Sequence, residues 1–221
     1  MEQIYTIPVN EVFDASAEDH SCGCPMCALY RKLQENELEL ILGASMMEPD
    51  VRIKTNKEGF CRTHYDMMFV RKNRLGMALT LESHLKELQG DLSAGLLGTL
   101  VGRSDKKPAK RVEALERSCY VCRRIDFHFQ HMAETVAWLF DTDENFGKKM
   151  TAQPYYCLPH YRLLLEKGAE RFNKTKLSDY TDILTKAVKI IWQRLRTTSA
   201  GFAKSSTTAT RPSPGKIPRI A

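Results

Sequence analysis

The chain has 221 residues, of which 43% are hydrophobic and 27% are charged. This composition is typical of a globular protein and excludes a disordered, collagen-like or fibrous chain. Residues 1–20 contain five acidic residues and neither lysine nor arginine, so they do not form a signal peptide. No stretch approaches the roughly 18 apolar residues that a membrane span needs. We therefore expect a cytoplasmic protein whose seven cysteines are reduced.

The net charge of +6 is unevenly distributed along the chain. Residues 1–60 carry 11 acidic and 5 basic side chains, whereas residues 151–221 carry 13 basic and 4 acidic ones. A basic C-terminal half is compatible with a nucleic-acid or acidic partner. Because these basic residues are dispersed, the favoured interpretation is a dipolar surface, with an unknown protein or small molecule as partner and no membrane.

The spacing of apolar residues predicts helices throughout the chain. One clear example is the stripe formed by Leu81, Leu85, Leu88 and Leu92. Sustained two-residue alternation is lacking, so the sequence predicts an all-α helical bundle. Each half contains about three helices, with a polar loop at 50–59 or 141–153. The predicted helices are, in chain order, 27–43, 65–75, 77–92, 122–140, 158–172 and 177–195.

Composition also predicts the domain organisation. The stretch 103–111 is charged, contains a proline and lacks large apolar residues, which is typical of an exposed linker or a helix start. It separates a first repeat at 1–102 from a second at 112–198. Residues 199–221 are rich in Ser, Thr, Pro and Lys, and we expect a flexible basic tail.

The two halves share one cysteine and histidine pattern. Each contains C-x-x-C, a gap of 33 or 34 residues, and then an aromatic residue followed by C-x-x-H-Tyr. The C-x-x-C pairs are 95 residues apart and the C-x-x-H pairs are 96 apart. Chance does not explain three cysteines and one histidine that recur in the same order at nearly equal spacing, so the pattern indicates an internal duplication.

Three thiolates and one imidazole are a donor set that suits tetrahedral zinc. Each motif is predicted to open a helix, and residues three apart on a first turn face the same way. The sequence therefore predicts two zinc ions per chain, held within each half by Cys24, Cys27, Cys61 and His64, and by Cys119, Cys122, Cys157 and His160. Ligand exchange between the halves is the less favoured arrangement, because each half is complete.

The same residues are compatible with a second kind of metal centre. An iron–sulfur cluster, which can also take cysteine and histidine ligands, is the second choice of cofactor. Arg62, Arg123 and Arg124 lie beside predicted ligands and could offset a negative metal centre. Cys22 is left over and is interpreted as inert or supporting, and the series His128, His131 and Glu134 is interpreted as ordinary polar surface.

The sequence also bears on the class of function. The chain lacks a glycine-rich phosphate loop and a nucleophile elbow, and we assign no catalytic residue. Closed four-ligand sites favour a non-enzymatic binding or regulatory module. A thiol-based redox or metal-responsive protein is the first alternative, and a nucleic-acid-associated protein using the basic C-terminal half is the second.

The duplicated pattern resembles an uncharacterised bacterial family of unknown function. The matching elements are C-x-C-P-x-C at Cys22–Cys27, G-F-C-x-x-H at Gly59–His64, C-x-x-C at Cys119–Cys122 and C-x-x-H at Cys157–His160. The resemblance covers roughly residues 15–200. It implies a cytosolic bacterial protein and supplies no catalytic residues.

Overall fold

The structure is a computed structural model that describes residues 2–99 and 107–208. Within these ranges the regular structure is entirely helical. Three short 3₁₀ turns lie at Glu2–Tyr5, His20–Cys22 and Ala44–Met47. The α-helices are α1 (Thr6–Glu18), α2 (Pro25–Leu42), α3 (Pro49–Glu58), α4 (Arg62–Phe69), α5 (Arg74–Thr99), α6 (Lys107–Glu116), α7 (Tyr120–Thr142), α8 (Phe146–Thr151), α9 (Leu158–Arg171) and α10 (Lys174–Thr208).

The predicted all-α bundle is confirmed, with more helices than the apolar pattern revealed. The described part of each half contains five helices rather than about three, α1–α5 and α6–α10. The predicted loops at 50–59 and 141–153 were wrong in part, because α3 and α8 occupy them. Only Thr55 is buried in α3, so this helix has no apolar stripe to detect. With six residues, α8 is too short to show a period.

The predicted linker and tail fall partly on described residues. Helix α6 begins at Lys107, so the second part of the 103–111 stretch is a helix start. Helix α10 continues to Thr208, which makes the first ten residues of the predicted tail helical. Residues 100–106 and 209–221 lie outside the described residues.

Helices α2 and α7 are the antiparallel pair on which the candidate sites are built. Near their middle, the rings of Tyr30 and Phe129 meet edge to face at 5.5 Å between centroids. Closer to the end of α2, the buried Glu37 carboxylate accepts two hydrogen bonds from Arg124, at 2.5 and 3.0 Å. Because the two helices run in opposite directions, their first turns lie toward opposite ends of the pair.

Candidate metal centres

All four cysteine motifs begin a helix, as the sequence predicts. The first residue of each motif is the N-cap, and the second ligand follows three residues later in the first turn. Pro25 occupies the start of α2, where the lack of an N–H group costs nothing. The exposed N–H groups of a first turn favour negative charge, which suits thiolates. The four N-cap residues are Cys24, Cys61, Cys119 and Cys157.

The first cluster joins the start of α2 to the start of α9. It consists of Cys24, Cys27, Cys157 and His160, whose ligand atoms all lie within 4.8 Å of one another. The Nδ1 atom of His160 lies 3.1 Å from Sγ of Cys157, 3.3 Å from Sγ of Cys27 and 3.6 Å from Sγ of Cys24. The Phe129 ring packs against the imidazole at 5.1 Å between centroids.

The second cluster joins the start of α4 to the start of α7 in the same way. Its members are Cys61, His64, Cys119 and Cys122, again with all ligand atoms within 4.8 Å. The Nδ1 atom of His64 lies 3.2, 3.3 and 3.4 Å from the sulfurs of Cys61, Cys119 and Cys122, respectively. His64 is buried, with 2% of its surface exposed.

The predicted grouping of these residues within each half was wrong. Each C-x-x-C pair meets the C-x-x-H pair of the other half, so both clusters are crossed between the repeats. The physical reason lies in the packing of the long helices. Helix α2 packs against α7, and α7 in turn packs against α9. This arrangement places the start of α9 beside α2. The eight residues are those that the sequence singled out.

The geometry of both clusters fits a single tetrahedral ion. With bonds of about 2.3 Å to sulfur and 2.0 Å to nitrogen, zinc separates its ligand atoms by about 3.5–3.8 Å. The sulfurs of Cys27 and Cys157 are 3.6 Å apart and those of Cys61 and Cys122 are 3.8 Å apart, whereas the Nδ1–Sγ distances of 3.1–3.6 Å are at or slightly below this range. The sulfur–sulfur distances are far longer than the roughly 2.05 Å of a disulfide, and all six cysteines of the two clusters are free thiols.

Burial sets the protonation of these groups when no cation is near. It raises the pKa of the Cys24, Cys27, Cys119 and Cys122 thiols above the ordinary value. It also lowers the pKa of the imidazoles of His64 and His160. The histidines are therefore held neutral, which is the form that ligates a metal. A bound cation reverses the preference of the thiols and displaces their protons.

Several contacts around the second cluster were missed by sequence reasoning. The side-chain amide nitrogen of Gln34 lies 3.0 Å from Nε2 of His64. The backbone N–H of Tyr120 donates to the carbonyl of Gly59 at 3.0 Å and so ties together the segments that carry Cys119 and Cys61. The duplicated pattern does not identify Gln34, because the equivalent position 95 residues later is Phe129 rather than another polar residue.

The arginines beside the ligands are engaged by carboxylates rather than by the clusters. Arg123 pairs with Glu58 at 2.7 Å, and Arg124 pairs with Glu37. The Arg62 side chain is 96% exposed and lies 3.8 Å from Asp66. The interpretation that these arginines offset a metal centre is therefore replaced by one of ordinary ion pairs.

Cys22 and the histidine series on α7 lie outside both clusters. The Cys22 thiol donates to the Ser16 hydroxyl at 2.9 Å. The Tyr5 hydroxyl lies 2.8 Å from Nδ1 of His128, and Nδ1 of His131 lies 3.0 Å from the carboxylate of Glu134. Among the described residues these side chains do not form a further group with metal-ligand geometry.

Among the described residues, no helix has the length and apolar character required to cross a bilayer. The fold and the clusters together define an all-α protein with two Cys3His groups, each of which takes two residues from each half of the sequence. The chain belongs to the Family of unknown function (DUF6062), whose model matches residues 1–205. Neither the curated proteins nor the solved structures contain a significant match to the chain.

Proposed function

We propose that this protein binds two zinc ions, each of which holds the two halves of the chain together, and that it acts as a binding or regulatory module. The observation that carries the proposal is the crossed geometry, in which each cluster takes two ligands from each half. Structural zinc contributes on the order of 10 kcal/mol to folding. Placed between the repeats, that free energy stabilises the arrangement of the whole bundle rather than one repeat.

The geometry favours zinc over an iron–sulfur cluster. In each group, one nitrogen and three sulfurs surround a single point, and the nitrogen–sulfur distances of 3.1–3.6 Å lie within about 0.5 Å of those around one tetrahedral ion. A two-iron or four-iron cluster distributes its protein ligands over several metal atoms and needs a wider cage. Four protein ligands also leave no open coordination position, which supports a structural rather than a catalytic ion.

Metal content in paired variants tests both the metal and the crossed grouping. We expect about two zinc per chain in the purified protein, by elemental analysis, and no iron. Cys27→Ala combined with Cys157→Ala removes two ligands from one cluster, so about one zinc should remain. Cys27→Ala combined with Cys61→Ala removes one ligand from each cluster, so zinc should fall further.

The matched control is Cys22→Ser, which should retain two zinc. If Cys27→Ala with Cys157→Ala lost more zinc than Cys27→Ala with Cys61→Ala, the ligand sets would be confined to each half. That result would contradict the crossed grouping. Circular dichroism of each variant shows whether the bundle is still helical, so that a change in metal content is not confused with unfolding.

A second candidate, association with nucleic acid, is favoured by the end of α10. Residues 183–221 contain eight basic and no acidic residues. On α10, the Lys189, Trp192 and Arg196 side chains are exposed, and every described side chain from 192 to 199 is exposed. Cations neutralise phosphates, and an exposed indole can stack on a base.

Salt-dependent binding separates this second candidate from the first. Labelled single-stranded and duplex oligonucleotides would be titrated with the zinc-loaded protein at several salt concentrations. If the candidate is correct, affinity falls steeply with salt, and either Lys189→Gln or Arg196→Gln weakens binding and flattens the salt dependence. Lys32→Gln is the control, because it removes one cation from another surface. Binding that is absent at low salt would exclude this candidate and leave the zinc proposal untouched.

A further inference from the structure

The thiols of the first cluster differ in their access to solvent. Cys24 is buried, with 1% of its surface exposed, whereas Cys27 and Cys157 are half-buried. The two half-buried sulfurs are also close neighbours, at 3.6 Å. A soluble oxidant therefore meets these two thiols before it meets Cys24.

The second cluster repeats this arrangement with residues of the opposite halves. Cys119 is buried, with 8% of its surface exposed, whereas Cys61 and Cys122 are half-buried. Their sulfurs lie 3.8 Å apart. In both clusters, then, the accessible pair consists of the second cysteine of C-x-x-C and the cysteine of C-x-x-H. One member of each pair comes from the first half and one from the second.

We propose that hydrogen peroxide converts these pairs into the disulfides Cys27–Cys157 and Cys61–Cys122, with release of zinc. This inference rests on the proposed zinc binding and adds its regulation. A disulfide requires sulfurs at about 2.05 Å, so each pair must close by less than 2 Å. That movement takes place between the first turns of two helices and leaves the buried cysteine in its position.

The chemistry balances with peroxide as the two-electron oxidant. One thiolate attacks a peroxide oxygen, which yields a sulfenic acid and hydroxide. The neighbouring thiolate then attacks the sulfenic sulfur, forms the S–S bond and expels a second hydroxide. In total, two thiolates lose two electrons and one peroxide is reduced to two hydroxides, which take up protons from the solvent. One thiol and one imidazole remain in each cluster, and these are too few for tight zinc binding.

Oxidation would replace the metal-mediated links between the two halves with disulfide bonds. In the reduced protein, the ions join the repeats through crossed ligands. After oxidation, two covalent bonds join the same helices, so the halves stay connected while zinc is released. The bundle thereby couples the oxidant level to free zinc without separating its repeats.

Peroxide titration of the zinc-loaded protein tests this proposal. Zinc content is measured first, and release is then followed with a chromophoric chelator while disulfides are mapped by mass spectrometry of non-reduced peptides. We expect loss of one zinc per disulfide, the two pairings Cys27–Cys157 and Cys61–Cys122, and recovery of zinc binding after reduction with dithiothreitol. The Cys22→Ser variant should give the same release and the same map.

Two results would overturn the proposal. One is disulfides confined to the C-x-x-C pairs, Cys24–Cys27 and Cys119–Cys122. The other is retention of zinc and free thiols at peroxide concentrations that oxidise an unfolded peptide of the same sequence. If the first measurement finds no zinc, the proposed function fails by itself, and the disulfide map of the metal-free chain still decides which thiols pair.

Discussion

The side-chain amide of Gln34 lies 3.0 Å from Nε2 of His64, on the opposite side of the imidazole from the three sulfurs. A histidine that ligates through Nδ1 carries its proton on Nε2. A rotation of the Gln34 amide by 180°, which exchanges its nitrogen and oxygen, lets the oxygen accept a hydrogen bond from that N–H. In the first cluster, the position 95 residues later is Phe129, whose ring packs against His160. The two clusters thus share their ligands but differ in what orients the imidazole.

This asymmetry predicts that Gln34→Leu weakens zinc at the second cluster alone. Loss of a partner that orients a ligand costs on the order of 10–100-fold in metal affinity. Competition with a chelator of known affinity should therefore resolve one weakened and one unchanged zinc per chain. Gln130→Leu is the matched control, because it makes the same change at an exposed glutamine of α7. Equal weakening of both ions by Gln34→Leu would contradict the assignment.

The crossed clusters show what the sequence could and could not specify. The eight residues were identifiable because ligand chemistry requires particular side chains at helical spacing. Their grouping depends instead on how α2 and α7 pack, and that packing rests on contacts such as Tyr30–Phe129 and Glu37–Arg124. No local pattern encodes such pairings. Helix α3 was missed for a related reason, since only Thr55 of its residues is buried.

The Glu37–Arg124 pair predicts a large effect for a single substitution. The Glu37 side chain is 6% exposed and that of Arg124 is 35% exposed. Glu37→Leu leaves a partly buried guanidinium without its carboxylate. Breaking a fully buried pair costs about 3–5 kcal/mol. Because Arg124 retains contact with water, we expect a loss of about 2 kcal/mol in the free energy of unfolding.

Urea unfolding of the zinc-loaded protein measures that loss. The control is Glu113→Gln, which removes the carboxylate of an exposed pair with Arg117 at 3.1 Å. Exposed pairs four residues apart on a helix contribute only about 0.3–0.5 kcal/mol. Equal effects of Glu37→Leu and Glu113→Gln would show that the buried pair does not hold α2 against α7.

Gly59 is predicted to tolerate no side chain. Its φ is +60° and its ψ is −158°, a backbone region that is essentially restricted to glycine. An added Cβ would lie 2.7 Å from Cδ1 of Leu115 and 3.2 Å from Cε1 of His84. We expect Gly59→Ala to lower the free energy of unfolding by about 2–3 kcal/mol. The Gly59 carbonyl accepts a hydrogen bond from the backbone N–H of Tyr120, which joins the segments that carry Cys61 and Cys119. Zinc binding at the second cluster should therefore weaken as well.

Gly90→Ala is the matched control for this substitution. Gly90 is exposed in the interior of α5, and an added Cβ there meets nothing within 4 Å. Alanine in a helix interior stabilises by about 0.5–1 kcal/mol relative to glycine. Thermal unfolding should therefore shift in opposite directions for the two variants. If Gly59→Ala left the thermal unfolding unchanged, that result would contradict the positive φ described for Gly59.

His128 predicts a pH dependence of stability that is separate from the metal ligands. Burial, and then the nearby Arg124 guanidinium, lower the pKa of its imidazole, against the opposing effect of Glu37. The folded pKa therefore lies below the unfolded value of about 6.5. Stability is fully present above pH 6.5 and is lost as pH falls through the folded pKa, because the unfolded chain binds the proton more tightly. Urea unfolding between pH 8 and 5, with zinc content measured in parallel, should show this loss in the native protein and a flatter profile in His128→Gln. The control, His20→Gln, removes an exposed histidine, and an identical flattening by both variants would contradict the role of His128.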